Sequence, residues 1–277
     1  MIPHNFVYMQ PTSLEEAVEA YQAASEAGKE PVYYAGGTEV VSYAHQGIIA
    51  PGAVVDLKRV PECRVHDADD DALVFGACLT LNELVADRRF PLLSKAAHII
   101  DHTIRNRLTL GGNVAGRLPY RETVLPFLVA DGTAVLYGPD GERTVPLSEI
   151  FRARLRLQDG EILVQLRAFR RLAEAPWYYE RRVKHNQLDY PIVTGCFLRW
   201  EDEIRMALTG TFGFPLRSSE VETVLNDASI PVADRPSQAL GTVNFDVFED
   251  ERASTGYRQA LTEMVIGAAL AELGGAA

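Results

Sequence analysis

The chain has 277 residues, 47% hydrophobic and 23% charged, which is the mixture of an ordinary globular protein with about two domains. Its 27 basic and 38 acidic residues give a formal charge of −11, and such a surface repels nucleic-acid phosphates and anionic lipid. The first residues lack the pattern of a signal peptide, and no apolar run reaches membrane-spanning length. We therefore expect a cytoplasmic protein with neither nucleic acid nor a membrane as a partner.

Helix and strand signals follow one another without a regular repeat. Ser13-Leu-Glu-Glu16 predicts a capped helix that ends near Gly28, and residues 31–35 predict a short strand. Further strands are expected at residues 54–57, 73–77, 133–137, 143–145, 192–200 and 204–212. Further helices are expected after the Thr80–Glu83 capping box and at residues 92–101, 122–130, beyond Arg217 and at 253–273. The pattern is α+β, and a change of character near residue 170 suggests two domains, 1–170 and 171–277.

The residues that could bind a metal or carry a nucleophile form no persuasive group. Cys63, Cys78 and Cys196 are far apart, which argues against a disulfide framework and against an iron–sulfur cluster within the chain. His98 and His102 stand four residues apart on a predicted helix, but no third ligand accompanies them, so we expect no metal site. The sequence has no Gly-x-Ser-x-Gly, which leaves hydrolase chemistry unsupported.

Two glycine pairs each follow a β-prone segment, at residues 36–38 (Gly-Gly-Thr) and 111–113 (Gly-Gly-Asn). The backbone N–H groups of such a loop can point into one concavity, and the missing Cβ leaves room for a phosphate. Either loop alone is better explained as a turn, whereas the two together could hold the two phosphates of a dinucleotide. Neither the Rossmann nor the P-loop glycine pattern occurs, so those two folds lose their main support.

Longer segments around these glycines resemble a known family. Residues 34–40 (Tyr-Ala-Gly-Gly-Thr-Glu-Val) and 104–114 (Ile-Arg-Asn-Arg-Leu-Thr-Leu-Gly-Gly-Asn-Val) resemble the two flavin-binding loops of the medium subunits of molybdenum hydroxylases. These are the relatives of xanthine dehydrogenase and carbon monoxide dehydrogenase. Further matches, in the same order, are Pro119, Glu122, Pro126, residues 204–208, Pro215 and Arg217. The resemblance covers nearly the whole chain.

The resemblance implies an α+β fold with a two-part FAD-binding domain of the vanillyl-alcohol-oxidase/PCMH type, followed by a smaller C-terminal sheet-plus-helix domain. It implies that FAD is the cofactor and that backbone N–H groups of the two loops hold its pyrophosphate. Glu122 matches a position that accepts a hydrogen bond from the ribityl chain, although a carboxylate at a helix N-terminus is also stabilised by the macrodipole. The implied cofactor-binding residues are Ala35, Gly36, Gly37, Thr38, Glu39, Thr109, Gly111, Gly112, Asn113 and Glu122.

A cation is also implied beside the flavin ring. Residues 179–189 resemble the family's Lys…Arg…Asp stretch, in which a positive charge stabilises the negative charge that accumulates on flavin reduction. Counting back from Asp189, Arg181 stands in place of the lysine and His185 in place of the arginine. A small register slip would substitute Lys184. Arg181 and Lys184 are therefore both candidates, and a solvated basic strand edge is the alternative for either.

The resemblance implies an oxidoreductase subunit without a catalytic residue of its own. It implies an FAD-binding electron-transfer subunit of a molybdopterin-dependent dehydrogenase complex of the xanthine dehydrogenase type. There, a molybdopterin-binding large subunit oxidises the substrate, an iron–sulfur small subunit delivers electrons to FAD, and NAD or another acceptor receives them. Two alternatives remain open: a self-sufficient FAD oxidoreductase of the same fold, and a flavin-fold assembly scaffold without cofactor.

Overall fold

The computed structural model describes residues 2–186 and 188–274. Its strands are β1 (Val7–Met9), β2 (Pro31–Tyr34), β3 (Ala53–Asp56), β4 (His66–Ala68), β5 (Ala72–Gly76), β6 (Thr133–Gly138), β7 (Gly141–Pro146), β8 (Phe151–Arg152), β9 (Arg154–Leu155), β10 (Ile162–Phe169), β11 (Trp177–Val183), β12 (Pro191–Trp200), β13 (Glu203–Thr209) and β14 (Leu216–Arg217). Its helices are α1 (Leu14–Glu26), α2 (Thr38–His45), α3 (Leu81–Ala86), α4 (Pro91–Ala97), α5 (His102–Arg105), α6 (Leu110–Ala115), α7 (Val124–Val129), α8 (Leu147–Ile150), α9 (Arg170–Ala173), α10 (Ser219–Asn226), α11 (Arg235–Gly241) and α12 (Thr255–Gly274). The predicted α+β class is confirmed.

A small parallel sheet in the order β1-β3-β2 opens the fold. The helix α1 begins where Ser13 Oγ accepts a hydrogen bond from the Glu16 amide at 3.1 Å. The predicted capping box is only half formed, because the Glu16 carboxylate accepts from Thr12 instead. The strand β2 ends at Tyr34, so the carboxyl end of this sheet leads directly into the first glycine loop. Ligands of α/β sheets commonly bind at this end of the strands.

The second sheet is antiparallel, in the order β4-β5-β10-β6-β7, and its middle strand β10 is not among the predicted strands. Residues of β10 enter two different parts of the core, and a register irregularity between Leu163 and Gln165 interrupts the alternation of its side chains. Ile162 and Val164 pack in the cluster that contains α1 residues, whereas Leu166 and Ala168 belong to the larger cluster with α4 and α7. The strand therefore lies between two hydrophobic layers, which explains why it is buried along most of its length.

The single helix predicted at residues 92–101 is wrong. The helix α4 ends at Ala97 and α5 begins at His102, and between them Ile100 has a φ of 45°. A left-handed residue cannot continue an α-helix, so His98 and His102 do not share one helical face. In the described residues, no group of three or more His, Cys, Asp or Glu side chains is placed to hold a metal ion.

The third sheet, β11-β12-β13-β14, is antiparallel and has helices on both faces. Because side chains alternate along a strand, Cys196 and Leu198 of β12 enter the large core with α4 and α7, whereas Phe197 enters a separate core with α12. This sheet thus joins the C-terminal part of the chain to the flavin-loop part. None of the helices in residues 2–186 and 188–274 is long and apolar enough to cross a membrane.

Candidate functional site

The first glycine loop connects β2 to α2. Gly37 is the N-cap of α2 and has a φ of 71°, and a Cβ at this position would lie 2.0 Å from the ring of Tyr34. The amides of residues 38–40, in the first turn of α2, have no carbonyl partner within the helix. Such amides, together with the positive end of the helix dipole, favour a bound phosphate.

The two glycine loops lie side by side. A Cβ on Gly36 would come within 1.9 Å of the Arg107 carbonyl oxygen, so only glycine permits this approach. Glu39 Oε1 accepts a hydrogen bond from the Arg117 amide at 2.8 Å, which ties α2 to the chain that follows the second loop. The Glu39 side chain therefore braces the loops, and its backbone amide remains the group suited to phosphate.

Most amides of the second loop already have protein partners. Those of Leu110 and Gly111 donate to carbonyl groups in residues 77–79 at 2.8 Å, and that of Asn113 donates to the Thr109 carbonyl at 2.8 Å. The implied contact between phosphate and this loop's N–H groups is therefore restricted. These hydrogen bonds fix the second loop to the chain that follows β5.

Gly112 is the exposed position of the second loop. Its amide donates to Thr109 Oγ1 at 3.2 Å, and a Cβ here would meet only that oxygen, at 2.9 Å. Gly111 differs, because its Cβ would lie 2.7 Å from the Cβ of Ala77 inside the fold. Gly112 therefore offers bare backbone to a ligand, whereas Gly111 is needed for packing.

Replacing Gly112 by valine is expected to weaken FAD binding about hundredfold, since the branched side chain would hold the phosphate away from the first-loop amides, whose hydrogen bonds to it are worth roughly 3 kcal/mol. The folded state should lose only about 1 kcal/mol through the disturbed Thr109 cap. Flavin fluorescence titration measures the affinity. The matched control is Gly256→Val, where no atom lies within 4 Å of the added Cβ. Equal FAD affinity in the two variants would show that the loop is an ordinary turn.

A buried ion pair lies next to the second loop. Asn113 Oδ1 accepts from Thr123 Oγ1 at 2.6 Å, and this bond fixes the position of the neighbouring Glu122. Glu122 is buried, and its carboxylate Oε1 lies 3.3 Å from Arg181 Nε. Burial raises the pKa of Glu122, and the Arg181 guanidinium opposes that rise. Arg181 also donates to the Asp189 carbonyl.

The structure thus distinguishes the two predicted cations. Arg181 is brought to Glu122, whereas Lys184 is exposed and its Nζ lies 3.4 Å from the Glu251 carbonyl oxygen. His185 is also exposed, and its amide donates to the Asp189 carboxylate at 2.8 Å.

Lys58 contacts the first loop although sequence reasoning did not single it out. Its Nζ donates to the Ala35 carbonyl at 3.1 Å, pairs with the buried Asp56 carboxylate at 2.7 Å and lies 4.6 Å from the centre of the Tyr34 ring. Asp56 ends β3 at the carboxyl edge of the parallel sheet. This position of a charged residue was the signal by which the sequence could have indicated the Asp56–Lys58 pair.

A second unforeseen group links the C-terminal part to this region. The hydroxyl of Tyr120 donates to Asp250 at 3.0 Å, and its ring stacks on Tyr190 with centroids 5.1 Å apart. Asp250 also pairs with Arg252 and with the fully buried Arg258. Arg252 and Arg258 lower the pKa of Asp250 well below its usual range. No sequence motif near Asp250 predicted these interactions with Tyr120, Arg252 and Arg258.

A glycine loop lies at the carboxyl end of a parallel sheet, beside a second glycine loop and a buried Glu–Arg pair, and this arrangement suits the phosphates of a nucleotide. The family model described as FAD binding domain in molybdopterin dehydrogenase matches residues 4–168. The chain belongs to this family and is an oxidoreductase flavoprotein that binds FAD. The resemblance seen in the sequence is confirmed, and the cofactor-free scaffold is set aside.

Full-length relatives agree with this assignment. The carbon monoxide dehydrogenase medium chain of Hydrogenophaga pseudoflava is 28% identical, with 98% of this chain and 97% of the relative covered. The 6-hydroxypseudooxynicotine dehydrogenase complex subunit alpha of Paenarthrobacter nicotinovorans is 25% identical over 98% of this chain and 95% of its own length. A solved structure of carbon monoxide dehydrogenase from Hydrogenophaga pseudoflava matches with a TM-score of 0.86, 28% identity and 99% coverage of each chain.

Proposed function

We propose that this chain is the FAD-binding electron-transfer subunit of a molybdopterin-dependent dehydrogenase complex. It would pass electrons from the iron–sulfur clusters of a small partner subunit to NAD or another acceptor, while a molybdopterin-binding large subunit oxidises the substrate. The cytoplasm is the proposed compartment. The observation that carries the proposal is the end-to-end alignment with the carbon monoxide dehydrogenase medium chain of Hydrogenophaga pseudoflava. This alignment covers 98% of this chain and 97% of the relative.

The residues of both loops are suited to holding FAD. We assign the pyrophosphate to the amides that begin α2, at Gly37, Thr38 and Glu39, and to the bare backbone of Gly112. Ala35 and Gly36 shape the first loop, and Thr109, Gly111 and Asn113 shape the second. Bound FAD supplies electron transfer in single or paired steps, including hydride exchange with a nicotinamide.

Glu122 and Arg181 are assigned to the flavin end of the site. The Glu122 carboxylate has a second oxygen that could accept from a ribityl hydroxyl. Because Arg181 is held by a buried carboxylate, its charge stays at a fixed position, and a fixed charge stabilises developing negative charge without reorganisation. Lys184 remains the second candidate for this task. Arg181 follows the proposed boundary at residue 170 and Glu122 precedes it, so both proposed domains, 1–170 and 171–277, would build the site.

The experiment is purification of the chain from its native source under mild conditions, with flavin and metal analysis of each fraction. We expect FAD, molybdenum and iron to elute together with this chain and two others. A chain that elutes alone with FAD and oxidises an organic substrate would contradict the proposal and support the self-sufficient oxidoreductase.

A further inference from the structure

A small hairpin carries an unusual concentration of positive charge. Within residues 151–156, β8 and β9 form a two-stranded sheet in which Arg152 faces Arg154 directly across the ladder, and Arg156 follows β9. These two residues and Arg156 are exposed, on a chain whose formal charge is −11. We call residues 151–156 the arginine hairpin.

The arginine hairpin lowers the stability of the isolated chain. Like charges directly opposite each other in an antiparallel pair are destabilising. The turn residue Ala153 has a φ of 64°, a conformation that a residue with a Cβ rarely adopts. Within residues 2–186 and 188–274, no carboxylate forms an ion pair with Arg152, Arg154 or Arg156. The charges thus remain uncompensated by the parts of the chain that the structure describes.

A fourth guanidinium lies beneath the turn. Arg121 is 4% exposed, donates to the carbonyl oxygens of Gly116 and Ala153, and lies 5.3 Å from the centre of the Phe151 ring. Burial lowers the pKa of Arg121 to about 10, so it stays charged at neutral pH. Arg121 thereby holds the strained turn in place and adds to the local positive potential.

The arginine hairpin borders the flavin loops. The strand β9 packs against α6, the helix that carries Gly112, and Arg121 connects the hairpin turn to the residue that follows α6. A partner seated on the hairpin would therefore lie close to the assigned FAD site. A partner that delivers electrons must lie a short distance from the cofactor that receives them.

We infer that the arginine hairpin docks against a carboxylate-rich surface of the subunit that delivers electrons to this chain. This inference rests on the proposed function. Arginines projecting from an otherwise acidic protein attract an acidic patch while the rest of the surface repels wrong approaches, which raises the association rate and fixes orientation. Nucleic acid is disfavoured as the occupant, because the net charge of the chain repels its phosphates.

The test compares two triple charge reversals of the full, FAD-loaded chain. R152E/R154E/R156E removes the hairpin charge, and K29E/R88E/K95E makes the same change in net charge at exposed positions on other elements. Binding to the molybdenum and iron–sulfur subunits of the purified complex is followed by stopped flow at increasing NaCl. We expect the hairpin variant to associate about ten- to hundredfold more slowly at low salt and to lose most of its salt dependence. The association rate of the control variant should stay within about threefold of the wild-type rate. FAD content and thermal unfolding of each variant verify the fold.

A cross-linking measurement does not depend on affinity. In the assembled complex, R154K treated with a carbodiimide should form amide links to Asp or Glu residues of the partner, and R88K should not. Equal association rates for the two triple variants, or no link from R154K, would overturn the inference while leaving the proposed function intact. A loss confined to NADH affinity would assign the hairpin to a dinucleotide phosphate and overturn protein docking. If wild type joins no such subunits, both proposals fall.

Discussion

Replacing Arg181 by methionine is expected to lower the free energy of unfolding by about 3–5 kcal/mol, because the buried Glu122 carboxylate would lose its ion-pair partner. The two side chains are 12% and 2% exposed, so water screens the pair little. Methionine is flexible and fills most of the vacated volume, which leaves the charge as the main change. Urea unfolding of the FAD-free chain measures the difference without a contribution from ligand binding.

The neighbouring arginine provides the matched control. Arg182 pairs with Glu180, but its side chain is 45% exposed, so Arg182→Met should change stability by only about 0–1 kcal/mol. The double variant R181M/E122Q should recover part of the loss, since it leaves no buried charge unpaired. If R181M and R182M prove equally stable, Glu122 and Arg181 do not form the interaction described here.

The same variant should show a distinctive pH dependence. Burial raises the pKa of Glu122 and Arg181 opposes the rise, so removing Arg181 raises this pKa further. A raised pKa in the folded state stabilises the fold below the unfolded value, about 4.3, and this contribution is lost as pH rises through the folded pKa. The deficit of R181M should therefore grow as pH rises from the acidic range, in which Glu122 is protonated, toward neutral pH. R181M/E122Q should not show this growth.

Local signals in the sequence were sufficient for many elements. Thr80 and Glu83 form both hydrogen bonds of the predicted capping box, and the strands expected at 54–57, 133–137 and 192–200 correspond to β3, β6 and β12. These signals act within a few residues, so a single sequence contains them. The left-handed Ile100 has no such signal, and the helix predicted across it was wrong.

Contacts between distant residues were accessible only through the family resemblance or not at all. Glu122 and Arg181 are 59 positions apart, and the resemblance alone suggested that both serve the flavin. Tyr120 and Asp250 are 130 positions apart, and no motif connects them. The strand β10 pairs with β5 and β6, far earlier in the chain, so its central place in the sheet depends on long-range pairing.

The electron-transfer assignment makes an all-or-none prediction about the isolated chain. Oxidative hydroxylation of hypoxanthine, aldehydes or carbon monoxide requires chemistry that we assign to the molybdenum subunit. To the residues of this chain, by contrast, we assign only the binding and orienting of FAD and the stabilisation of its charge. Slow reduction by NADH would agree with this assignment, because a flavin exchanges hydride with a nicotinamide directly.

Anaerobic mixing of the FAD-loaded chain with each organic substrate, followed by flavin absorbance, tests this claim most directly. The proposed function predicts no bleaching by the chain alone and rapid bleaching once the molybdenum and iron–sulfur subunits are added. Heat-inactivated subunits serve as the control, and their addition should produce no bleaching of the flavin. Rapid bleaching by an organic substrate in the absence of any partner would contradict the assignment and identify the chain as a self-sufficient oxidoreductase.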